Sequence, residues 1–213
     1  CIDKTSLSEI DVPGVENPEI SLNGIWKFSL DPPKELWKNS VEFQKWDNIN
    51  VPGECQMQGF PIKHNKPYVY KKEFKIPEDF NGKHIQLNFH GVYSYARVWV
   101  NGEFIREHYG GFTKWSCNIT DIIEAGENAV LTVEIVDRVD DLSYASGYAK
   151  HQIGGILRDV ELTALPKQHF EKLFFHTDFD ENFQNATLKV NYCLSENSPV
   201  DRKSTRLNSS HYS

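Results

Sequence analysis

Val98-Trp-Val-Asn-Gly-Glu-Phe-Ile105 decides the fold. Two apolar runs flank Asn101–Gly102, and Asn and Gly both tolerate the positive φ that a two-residue hairpin turn demands. Immediately upstream, His84-Ile-Gln-Leu-Asn-Phe-His90 places Ile85, Leu87 and Phe89 on one face of a strand. Downstream, Ala129-Val-Leu-Thr-Val-Glu-Ile-Val136 does the same with Leu131, Val133 and Ile135. Further short apolar-alternating runs occupy Ile25–Leu30, Tyr68–Ile76, Ala96–Val100 and Ile156–Leu165. Helical periodicity is nearly absent, and Thr120–Gly126 reads as a single turn between strands. Many short strands broken by Gly, Pro and Asn predict an all-β chain, an antiparallel sandwich of jelly-roll type.

Composition fits that reading. The 213 residues include 13 Phe, 9 Tyr and 5 Trp, enough for a core and against general disorder. Net charge is −7, which argues against nucleic acid as a partner, since phosphate binding needs clustered Lys and Arg. No apolar run reaches the roughly 18 residues of a membrane helix. Cys1, Cys55, Cys117 and Cys193 lie far apart without zinc spacing, so no metal site is expected and the thiols are expected to be free and mostly buried. Cys1 has two readings. One is a piece of a longer frame. The other is a processed lipoprotein terminus, which would make the protein periplasmic or lipid-anchored outside the cytoplasm.

A boundary is expected near Pro166. Beyond it Phe170–Asp180 and Ala186–Leu194 read as two strands, too few to bury their own face. Either they pack on the first domain or they begin a second one. Asp201–Ser213 is Ser-rich and basic, with a net charge of +2, and reads as a disordered tail of non-native character, with an interaction arm as the alternative.

Catalytic signatures are missing: no GxSxG, no phosphate loop, no HExxH. Asp137, Asp140 and Asp141 form an acidic cluster that reads as a solvated loop before it reads as a cation site. No local spacing singles out two carboxylates for glycoside cleavage.

Several segments, in order, carry a resemblance. They are Leu22-Asn-Gly-Ile-Trp-Lys-Phe28, Val51-Pro-Gly53, Tyr70-Lys-Lys-Glu-Phe74 and Phe89-His-Gly-Val-Tyr-Ser-Tyr-Ala-Arg-Val-Trp-Val-Asn-Gly102. Gly110-Gly-Phe-Thr113, Asn118-Ile-Thr-Asp121 with Ala125-Gly-Glu-Asn128, and Gly154-Gly-Ile-Leu-Arg-Asp-Val160 follow. Together they resemble the N-terminal domain of glycoside hydrolase family two, the family of β-galactosidases, β-glucuronidases and β-mannosidases. The resemblance implies a galactose-binding-like jelly roll over 18–166, preceded by an extension over 1–17. It also implies the first strands of an incomplete immunoglobulin-like domain over 167–200, with the tail over 201–213. The family's two catalytic glutamates lie in a later (β/α)₈ barrel. No catalytic residue is therefore expected here, and the barrel and a carbohydrate are the expected partners. No cofactor is expected in this chain; the resemblance allows a sodium or magnesium ion in the full-length parent, not assignable here. Oligomeric state stays open.

The resemblance also implies site residues. An Asn just ahead of the Tyr70–Phe74 strand would reach the substrate pocket, and that position is Asn65; its bland alternative is a turn Asn. The position of the family's sodium- and substrate-binding Asp holds Ala149, which weakens the case for a sodium site and for strict β-galactosidase specificity. Lys150, His151 and Gln152 beside it would contact a different sugar or a uronate. Tyr93 and Tyr95, two apart, are expected on one strand face as alternative stacking residues, with Tyr109, Trp115, Tyr144 and Tyr148 as further candidates. Trp26 and Trp99 read as core. Gly91, Gly102 and Gly155 read as backbone turns, and Arg158 as part of a buried or interface ion pair. A free-standing carbohydrate-binding module and a ligand-free structural sandwich are the competing functions.

Overall fold

The computed structural model describes residues 11–38, 42–138 and 153–195. The chain divides into two compact units, residues 1–164 and 165–213.

In the first unit a six-stranded antiparallel sheet has the order β3 (Asp47–Val51), β2 (Gly24–Ser29), β4 (Pro67–Lys75), β10 (Asn128–Val136), β7 (Tyr95–Val100), β8 (Glu103–Tyr109). A four-stranded sheet has the order β1 (Glu19–Ser21), β12 (Val160–Leu165), β5 (His84–Phe89), β9 (Trp115–Asn118). A small ribbon pairs β6 (Val92–Tyr93) with β11 (Gly155–Ile156). Ile85, Leu87 and Phe89 from one sheet and Leu131, Val133 and Ile135 from the other join one buried cluster, as their alternation requires. This unit is thus an antiparallel β-sandwich, as the sequence predicts.

The hairpin turn between β7 and β8 lies where the Asn-Gly pair puts it. Asn101 and Gly102 have φ of 51° and 86°, the signs of a type I′ turn. Asn101 also needs its amide: Oδ1 accepts from Val130 N–H at 2.9 Å and Nδ2 donates to the Ile122 carbonyl at 3.2 Å. The predicted strand over Ile156–Leu165 is broken in two, because Leu157 and Arg158 turn both their N–H groups onto the Gly91 carbonyl. Arg158 is exposed, not buried, with its stem against Gly91. Trp26 and Trp99 are both buried. The thiols of Cys55 and Cys117 are free and buried, while Cys193 is free and only partly covered. Among the described residues no helix is long and apolar enough to cross a membrane.

The outer face of the six-stranded sheet holds a second cluster. Leu36 and Trp46 pack on Val69 and Trp99, and the rings of Trp37 and Trp99 stack at 6.0 Å. Lys71 is sealed beneath this cover, fully buried. Its Nζ donates to the Lys38 carbonyl at 3.2 Å and sits 5.2 Å from the Phe43 ring centre. Burial pushes the ammonium from 10.5 down to about 8. A lowered pKa means the folded chain holds this proton less firmly than the unfolded chain. The penalty is therefore complete below about pH 8 and vanishes as pH rises through the unfolded value near 10.5. Lys71→Met should raise unfolding stability at pH 7 by about 1–3 kcal/mol. Urea midpoints at pH 7 and pH 10 check this; an advantage that does not shrink with rising pH would contradict it.

In the second unit β13 (Phe170–Phe179) pairs with β14 (Ala186–Leu194). The register puts Leu173, Phe175, Phe179, Leu188, Val190 and Tyr192 on one face, while His176, Asp178 and Lys189 share the other. Asp178 is bonded to His176 and Lys189, and Lys189 and His176 hold its carboxyl below the usual range.

Candidate functional site

The sequence-predicted Asn65 lies in a tight turn just before β4. Lys66 N–H closes the turn on the Lys63 carbonyl at 3.2 Å, and Asn65 takes a φ of 56°, as the third residue of a type II turn does. Asn is one of the few non-glycine residues that tolerates this conformation. Both His64 and Asn65 are exposed. The turn is fastened to the end of β10. Asn65 N–H donates to the Asp137 carbonyl at 2.8 Å, and His64 Nδ1 lies 2.6 Å from Asp137 Oδ2. The Asp137 side chain is 1% exposed against 44% for His64. A buried carboxylate, an exposed imidazole and an Asn at positive φ thus share one sheet end.

Ser94 holds the two chain neighbours of Asp137. Arg138 N–H donates to Ser94 Oγ at 3.0 Å, and Ser94 Oγ donates to the Val136 carbonyl at 3.3 Å. Ser94 is the corner between β6 and β7, and the Tyr93–Ser94 peptide is cis. This corner corrects the expectation for the tyrosines. Tyr93 pairs with β11 and Tyr95 with β10, so they stand on different strands in different sheets rather than on one face. The two-residue spacing holds only where the strand runs straight through, and here it turns at Ser94.

Each tyrosine has its own neighbours. Tyr93 packs against Phe112 with ring centres 5.4 Å apart. Tyr95 and Tyr109 lie 4.9 Å apart at 46°, with Arg138 over both rings. Both phenols donate to Glu107, at 2.5 and 3.0 Å. These two hydrogen bonds hold the Glu107 carboxyl below its ordinary value, while partial burial and Glu107 push the Tyr95 phenol up. The tilted rings and the guanidinium over them are not a flat platform for a sugar face. Trp115 is no surface aromatic either: it is buried, with Phe89 and His108 stacked at 4.4 and 4.6 Å.

The buried polar groups of β4 and Cys55 are chemically quiet. Burial above all pushes the phenols of Tyr68 and Tyr70 far up, and raises the Cys55 thiol to about 12. Cys55 Sγ and Tyr70 Oη lie 3.0 Å apart, and Tyr68 Oη donates to the Tyr93 carbonyl at 3.4 Å. None of these groups ionises near neutral pH, so they supply packing and hydrogen bonds, not a nucleophile.

Lys150, His151 and Gln152 lie outside the described residues, as do Tyr144, Tyr148, Ala149, Asp140 and Asp141. Of the described residues flanking that stretch, Arg138 belongs to this sheet end. Arg138 is bonded to Ser94, and Gly154 N–H reaches Glu54 Oε1 at 3.3 Å. The sequence reading passes over His64 and Ser94 and takes Asp137 only as a member of a solvated acidic loop. His64 and Asp137 are 73 residues apart, so no local spacing betrays the pair.

A separate open cleft of about 500 Å³ is lined by Glu16, Asn17, Ile20, Lys75, Pro77, Glu78 and Asp79. It sits at the far end of β4 from Asn65 and shares no residue with the Asn65 turn. Among the described residues no three His, Cys, Asp or Glu side chains are grouped to hold a metal.

Comparison with known proteins identifies the family. Residues 20–166 match the family described as "Glycosyl hydrolases family 2, sugar binding domain". A β-galactosidase of Clostridium acetobutylicum is 31% identical over 84% of this chain, and one of Priestia megaterium 28% over 80%. The chain spans only 23% and 19% of the length of those relatives. In fold, a β-glucuronidase of an uncultured Clostridium superposes over 89% of this chain and 35% of its own, with a TM-score of 0.71 at 20% identity. The matched segment takes in both sheets of the sandwich and the Asn65 turn, so the chain belongs to glycosyl hydrolase family 2 and carries that family's sugar-binding domain.

Proposed function

We propose that the chain is the N-terminal accessory part of a retaining glycosidase acting on β-linked glycosides. The observation that carries this reading is the match to β-galactosidases over about a fifth of their length, together with the sugar-binding-domain match over residues 20–166. In such an enzyme two carboxylates of the barrel perform the double displacement, one as nucleophile and one as acid and base. The chain's own part is to shape one wall of the substrate pocket. Asn65 is assigned to that wall: the residue is exposed, and its backbone N–H is held by the Asp137 carbonyl just past β10. Lys150, His151 and Gln152 are assigned to further contacts with a neutral sugar or a uronate. The hairpin β13–β14 is assigned as the opening of the following immunoglobulin-like domain.

The reading predicts that the purified chain turns over no nitrophenyl β-galactoside, β-glucuronide or β-mannoside above the buffer rate. Activity that co-purifies with the chain through successive columns would contradict it and place a reaction centre within these residues.

A further inference from the structure

We infer that Asp137, acting through His64, is the positioning residue for Asn65. The inference rests on the proposal that Asn65 lines the substrate pocket.

One residue holds the turn at two points. The Asp137 carbonyl takes the Asn65 N–H at 2.8 Å, and its carboxylate meets His64 Nδ1 at 2.6 Å. His64 and Asn65 are the two central residues of the turn, so both are tied to the same anchor. The anchor itself does not drift. Its carboxylate is buried, and a buried carboxylate is tolerated only where hydrogen bonds compensate it. Its two neighbours in the chain, Val136 and Arg138, are both bonded to the buried Ser94 hydroxyl. Val136 is also the last residue of β10 and lies opposite Pro67, the first residue of β4. The turn therefore begins where the β4–β10 ladder ends, and the carbonyl and carboxylate of Asp137 both hold it there. An Asn at positive φ lies outside the ordinary helical and extended regions. Such a conformation persists where its surroundings hold it, and the Asp137 carboxylate is the group placed to do so.

Two measurements test this. In the 213-residue chain, hydrogen exchange at the Asn65 amide should speed up by at least about tenfold in His64→Ala, while exchange in β10 stays as it was. His64 is an exposed side chain, so the variant is expected to fold. Asp137→Asn keeps an oxygen to accept from His64 Nδ1–H and should retain most of the protection. Unchanged protection of Asn65 in His64→Ala overturns the inference.

In the full-length enzyme, His64→Ala should lower kcat/KM about three- to tenfold, and should lower it no further once Asn65→Ala is present. Equal losses with and without Asn65 would show that His64 acts on something else, and would overturn the inference. If Asn65→Ala leaves kcat/KM unchanged, the pocket role of Asn65 is what fails. The exchange measurement still decides whether Asp137 and His64 hold the turn.

Discussion

Gly155→Ala should cost the domain about 3–5 kcal/mol. Gly155 has a φ of 121°, where a side chain is strained by about 1–3 kcal/mol. Space is lacking as well. A Cβ there would stand 2.8 Å from Tyr70 Oη, 2.9 Å from the Gly53 carbonyl oxygen and 3.1 Å from Cys55 Sγ. The Gly53 oxygen is backbone and cannot swing aside. It is fixed because Gly53 N–H donates to the Ile156 carbonyl and Cys55 N–H to that of Gly154, both at 2.9 Å. Forcing atoms into such a core adds about 1–3 kcal/mol. For a chain of this length the thermal midpoint should fall by roughly 6–20 °C, which calorimetry reads directly. A fall of under about 2 °C would mean that the 53–55 and 154–156 segments are not zipped together as described.

Trp26→Ala is the second large effect. The indole is 1% exposed, its Nε1–H donates to the Leu22 carbonyl at 2.8 Å, and its edge meets Tyr70 with ring centres 6.3 Å apart. Truncation leaves a cavity at a cost of about 3–5 kcal/mol. The Leu22 carbonyl also loses its partner, worth about 1–3 kcal/mol if no water replaces it. Denaturant unfolding of Trp26→Ala beside Trp26→Phe separates the two terms, because Phe keeps part of the packing and none of the hydrogen bond. A loss below about 1 kcal/mol in Trp26→Ala would remove Trp26 from the core.

Much of the fold was legible because its strands alternate. Gly24–Ser29, Pro67–Lys75, His84–Phe89 and Asn128–Val136 differ by only a residue or so from the runs read in the sequence. The strands that escaped, Glu19–Ser21, Asp47–Val51 and Trp115–Asn118, are three to five residues long and rich in polar side chains. Their strand state comes from the ladder partner, not from propensity. Trp99 reads as core and is buried, but on the outer sheet face under Trp37, a cover that periodicity does not reveal. The site was less legible. Asn65 entered through resemblance alone; its own spacing says only that it stands before a strand. Tyr93 and Tyr95 were misplaced because no residue signal announces the corner at Ser94. Asp137 read as one member of an acidic loop, whereas the structure buries its carboxylate against His64. Contacts across 73 residues are made by topology, which a linear reading does not hold.

The most direct measurement is kcat/KM of the full-length enzyme carrying Asn65→Ala, on the best nitrophenyl β-glycoside. The account predicts a loss of at least about tenfold, or ~1.4 kcal/mol of transition-state stabilisation. A value within about twofold of the unsubstituted enzyme would take Asn65 out of the pocket, and with it the claim that this domain builds one of the pocket's walls.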